Sequence, residues 1–152
     1  MLDSIRNFFE QYVSAPAARG DAGRSIDVAA AVLLIEVARM DGVIRDAERE
    51  AVVHAVRARS GLTAEEAATL VGLAEEQARQ ATDYYQFTSL INKHFSQEQK
   101  ERLIERMWQV AYADADPSVH EAHLVRKIAD LLYVSHRAYI AAKLRASAAA
   151  GR

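Results

Sequence analysis

Carboxylates supply most of the chemistry this chain could perform, and two of them recur in register. The stretch RMDGVIRDAERE, Arg39–Glu50, sets Asp41, Asp46 and Glu48 around an Asp-Gly turn between two apolar helical patterns. Further on, YADADPSVHEAHL, Tyr112–Leu124, sets Asp114, Asp116 and Glu121 around a second break. Laid over each other at an offset of 73, Glu36–Val52 and Gln109–Val125 share five identities in 17 positions. These are Val37/Val110, Ala38/Ala111, Asp41/Asp114, Glu48/Glu121 and Val52/Val125, which marks a duplicated helix–corner–helix unit. The apolar matches are what two equivalent helix pairs in one core require. The acidic matches are not explained by a core.

Two physical accounts of those acids stand side by side. In the first, each corner is a cation site: an Asp at a helix end and a Glu seven residues later fold back toward each other. The exposed carbonyls of the corner add oxygens of the kind Ca²⁺ or Mg²⁺ takes. The candidate ligands are Asp41, Asp46 and Glu48 in one corner and Asp114, Asp116 and Glu121 in the other. In the second account the acids are structural. Asp tolerates the left-handed turn after a helix, and Glu in a first turn gains ~0.3–1 kcal/mol from the helix dipole. The first corner is not an EF-hand: counted from Asp41, its third, fifth, sixth and twelfth positions are Val43, Arg45, Asp46 and Val52. At the second, HEAH adds His120 and His123 as secondary candidates, better suited to Zn²⁺ or another first-row metal, Mn²⁺ lying between the classes. That spacing is not the zinc-protease pattern, and two histidines on one helix face are commonly plain surface residues.

Other reactive constellations are missing from the sequence. There is no Gly-rich phosphate loop, no nucleophile elbow and no cysteine, so thiol catalysis and thiolate metal sites are excluded. A carboxylate-bridged di-iron site fails on spacing, Glu50 and His54 being four apart. DYYQFTSLINKHF, Asp83–Phe95, is aromatic-rich and reads as a short core helix, with a partner-binding edge as the alternative. Trp108 reads as core.

The elements that must position these residues are helices, since the apolar period is helical throughout and no segment alternates like a strand. Residues 1–14 form an amphipathic helix with Leu2, Ile5, Phe8, Phe9 and Tyr12 in one stripe, expected to pack on the domain or on a second copy. Residues 15–25 read as a flexible linker, 26–146 as a single all-α domain of about seven helices, and 147–152 as a disordered tail. Asp27, Asp46, Asp83 and Ser135 are expected helix starts, and Thr63–Glu66, Ser96–Gln99 and Ser118–Glu121 are expected capping boxes.

Bulk properties narrow the function classes. The 152 residues suffice for one hydrophobic core, with 51% apolar and 26% charged residues. A net charge of −2, with 19 basic residues dispersed among 21 acids, argues against a nucleic-acid partner. The longest comparable apolar run, Val28–Ile35, is too short to span a membrane, and the first residues do not read as a signal peptide. A cytoplasmic location is expected, and the absence of cysteine suits it.

At its corners the chain resembles the TerB family, named for a tellurite-resistance protein, whose domain is also found in DjlA-type membrane co-chaperones. The resemblance rests on LLIEVARMDGVIRDAERE, Leu33–Glu50, and MWQVAYADADPSVHEAHLVRKIADLLYVS, Met107–Ser135. It covers about Ile26–Leu144 and implies an all-helical domain of around seven helices with an acidic face that binds a metal or a partner. By position it assigns that face to Asp41, Asp46, Glu48, Asp114, Asp116 and Glu121. The second corner departs from the family pattern, with Asp114–Ala115 in place of Asp-Gly and Asp116–Pro117 following, so the first is the closer match. No J domain is present, so co-chaperone activity does not carry over. The expected function is therefore a non-catalytic TerB-like domain, associated with stress or tellurite resistance, that binds a divalent cation, a protein partner or both. The alternatives are a metal-free structural interaction module with acids as caps and, in a minor place, a metal-dependent hydrolase at the histidine corner.

Overall fold

The computed structural model describes residues 21–40, 43–80, 84–113 and 116–151. Among them are seven helices and no strand: α1 Asp21–Ala38, α2 Asp46–Ser60, α3 Ala64–Gln80, α4 Tyr85–His94, α5 Gln97–Ala111, α6 Val119–Leu131 and α7 His136–Ala149. The all-α expectation is met. The N-terminal amphipathic helix at 1–14, linker residues 15–20, Asp41, Asp83 and Asp114 lie outside the described residues.

The centre of the molecule is α1. From Ala29 to Ala38 no residue is more than 6% exposed, Glu36 included. A helix apolar on every side must be surrounded, and α1 packs against α2, α3, α4, α5 and α6. Leu33, Ile35, Val37, Leu70, Ile91, Ile104, Met107, Trp108, Ile128 and Leu132 are sealed into one core. The bidentate pair of Arg49 with Glu75, at 2.7 and 3.1 Å, ties α2 to α3 from outside. The Arg49 guanidinium holds the Glu75 carboxyl below its ordinary pKa.

The duplication is visible in the elements. Helix α1 ends at Ala38 and α5 at Ala111, and the following helices are capped at Arg45 and Ser118, each pair 73 apart. The unit then extends past the aligned stretch. Gly61 and Tyr133, 72 apart, are both left-handed, with φ 69° and 58°, and each turns the chain into a third helix. In each trio the first helix packs on the second and the third, α1 on α2 and α3 and α5 on α6 and α7. Helix α4 is the extra element between the trios. Its Asn92 donates to the Leu131 carbonyl at 2.9 Å, satisfying an acceptor at the end of α6.

Three boundaries differ from expectation. Helix α1 starts at Asp21, so Asp27 lies inside it and residues 21–25 are helical instead of linker. Small polar residues carry helix penalties of at most ~1 kcal/mol each, and the buried run beyond them lets the helix propagate backward. Helix α7 continues to Ala149, through the first part of the expected disordered tail, because alanine has the highest helix propensity. Asp46 is the first helical residue; the cap position is Arg45, as the register of the duplication requires.

Candidate functional site

Each acidic corner is made by the end of one buried helix and the capped start of the next. At the first, Val37, Ala38 and Val52 are buried, fixing how α1 and α2 meet. Glu48 is the third residue of α2, and its Oε1 accepts the Arg45 backbone N–H at 3.1 Å. The residue is only 4% exposed, and the Arg45 guanidinium stands 3.7 Å away, itself half in solvent. Asp46 is exposed, and its charge acts on Arg49. Asp41, the other half of the repeated acidic pair, lies outside the described residues.

The second corner is built alike but closed differently. Ser118 Oγ accepts the Glu121 N–H at 3.1 Å, and Glu121 Oε1 accepts the Ser118 N–H at 2.8 Å, a complete reciprocal cap. Asp116 is exposed and shares the wall of a shallow cavity of about 340 Å³ with Trp108, Tyr112, Pro117, Lys143 and Ser147. Lys143 Nζ lies 5.3 Å from the Trp108 ring centroid, so a cation already faces this side of the corner. His120 and His123 are both exposed on α6, and Asp114 lies outside the described residues.

The repeated Glu48 and Glu121 therefore occupy one geometric role, the third residue of a helix whose carboxylate reaches back to the cap N–H. What differs is burial. No group of three or more His, Asp or Glu placed to hold a metal ion is found among the described residues. Nor does a described hydrogen bond or ion pair join Asp46 or Glu48 to Asp116 or Glu121.

One cluster was not anticipated from sequence. One turn before the first corner, buried Glu36 meets Arg39 Nε at 3.2 Å and the Tyr84 hydroxyl, while Lys127 Nζ of α6 lies 5.4 Å from the Tyr84 ring centroid. Burial raises the Glu36 carboxyl above its usual value, outweighing Arg39, and burial also raises Tyr84. The Glu36/Arg39 spacing was a visible helical pair. Tyr84 and Lys127 come from distant segments that no local pattern connects. The aromatic segment is largely core, with Phe87 and Phe95 buried and Tyr85 and His94 exposed, and Trp108 is fully buried.

Among the described residues no helix is long and apolar enough to cross a membrane. Neither a curated protein nor a solved structure matches the chain significantly. The family model described as tellurite resistance protein TerB matches residues 27–144, more than three quarters of the chain and both corners. With the duplicated helical trios spanning that stretch, the chain belongs to the TerB family.

Proposed function

We propose that this TerB-family chain is a non-catalytic binding module that holds a divalent cation at its first corner and offers that face to a protein partner. The observation that carries the reading is the burial of Glu48. A carboxylate almost removed from water must be compensated where it stands, and the Arg45 backbone N–H fixes Glu48 Oε1 at the start of α2, beside the corner. A hard cation shared with Asp41, and with Asp46 at the rim, would be one such compensation. The second corner, with Asp114, Asp116 and Glu121, is the weaker site, since Glu121 is already engaged in a complete cap and Lys143 stands nearby. His120 and His123 would bring in Zn²⁺ only as a separate surface site. A role in stress or tellurite resistance inside the cytoplasm rests on the family association.

That complete cap favours a second reading, in which both corners are metal-free and the acids only start helices. Titration calorimetry with Ca²⁺, Mg²⁺, Mn²⁺ and Zn²⁺ separates the two. Binding in the micromolar to millimolar range is expected for the wild type and not for Asp41→Asn/Glu48→Gln. Glutamine still accepts the cap N–H, so that variant isolates charge from capping. No heat at millimolar metal, or binding that survives the double change, would rule out the first-corner site.

A further inference from the structure

A groove beside α1 is lined by none of the described corner acids. Its floor is apolar, formed by Ala30 and Leu34 of α1, Val56 of α2, Phe95 just after α4 and Leu103 of α5, and Arg102 and Arg106 of α5 also line it. Its volume is about 280 Å³. That is at or below the ~300–1,000 Å³ of small-molecule pockets, and it suits a few apolar side chains from a helix laid across it.

We infer that this groove is the docking site of the chain's own segment Leu2–Tyr12, bound as an amphipathic helix. Leu2, Ile5, Phe9 and Tyr12 recur at three- and four-residue steps, the anchor spacing of a helix in a groove, and Phe8 broadens the stripe. Asp3 and Glu10 each follow an anchor by one position and are seven apart, so both acids flank the same edge of the stripe. Arg102 and Arg106, one turn apart on α5, present the complementary charge. Arg102 now bonds exposed Glu98 at 2.8 Å and Arg106 bonds Gln109 at 3.4 Å, contacts that an incoming carboxylate can replace at little cost.

The reach also fits. Eight residues separate Tyr12 from Asp21, enough to span up to roughly 26–29 Å when extended. Ala30 lies nine residues into α1, a rise of about 14 Å, so the segment can turn back at Pro16–Gly20 and lie over the groove. Such a tether gives an effective concentration in the millimolar range, which favours this segment over a free copy.

The chain has no cysteine, so one introduced thiol carries a unique label. A nitroxide on Ser4→Cys of the full chain should strip most of the NMR intensity from the methyls of Leu34, Val56 and Leu103. Methyls of Val125 and Ile128 should keep theirs. Arg102→Glu/Arg106→Glu should restore the groove signals, and adding Asp3→Arg/Glu10→Arg should quench them again. Because only the charge-swapped chain should recover quenching, the rescue separates docking from a loss of folding. Unquenched groove methyls in the labelled chain would overturn the proposal. So would quenching that appears only when labelled and isotope-enriched chains are mixed, which would assign the groove to a second copy.

Discussion

Three buried or half-buried glutamates near the corners meet three different electrostatic situations. Glu121 is engaged in its cap, Glu48 has the Arg45 N–H and guanidinium among its partners, and Glu36 meets Arg39 and Tyr84 against a burial penalty. Because burial raises the Glu36 pKa, the folded state holds a proton that the unfolded chain has released. The associated stability is present in full below about 4.5, the ordinary carboxyl value, and is lost as pH rises through the folded pKa. Glu36→Gln should accordingly be as stable as wild type or more so at neutral pH, with the advantage shrinking toward pH 4. Denaturation midpoints across that range check this. A mutant weaker by the same amount at every pH would mean that Arg39 and Tyr84 already balance the charge.

At the scale of elements, the duplication makes each trio a control for the other. Position 118 carries Ser, which caps α6 through its hydroxyl, while the equivalent position 45 carries Arg, whose side chain accepts no hydrogen bond. Ser118→Ala should destabilise the protein by about 0.5–2 kcal/mol in denaturant unfolding, since the Glu121 N–H loses its acceptor. An unchanged midpoint would show that the Ser118 hydroxyl contributes nothing to the start of α6. The same comparison shows what was legible. Capping boxes at Thr63, Ser96 and Ser118 and the Ser135 cap were readable because their hydrogen bonds join residues three apart. Asp27 and Asp46 misled because an Asp near a helix start can be a cap or a first-turn residue, and only packing of α1 and α2 decides. The corner acids were found by their repetition, but whether Glu48 is buried depends on α1 and α2 meeting, which spacing does not encode. Glu36's contact with Tyr84 and the arginine-edged groove were invisible for the same reason: they join segments tens of residues apart.

For the molecule as a whole, α1 is the shared wall of both trios, so the two halves should not melt separately. Leu33→Ala, at a site with no exposure, should cost about 2–5 kcal/mol and leave a single calorimetric transition. Two resolved transitions would mean that the trios are independent units. The dependence of α1 on later helices also sets a schedule for synthesis. Its run AAAVLLIEVA leaves the ribosome well before α5, and the 73 residues between Ala38 and Ala111 take roughly 4–15 s to make at about 5–20 residues per second. During that interval the most apolar of the described helices has, among them, α2, α3 and α4 to shelter it. A nascent chain stalled there exposes a sticky surface to aggregation and to chaperones, so slow codons between α4 and α5 would burden the cell more than slow codons after α6.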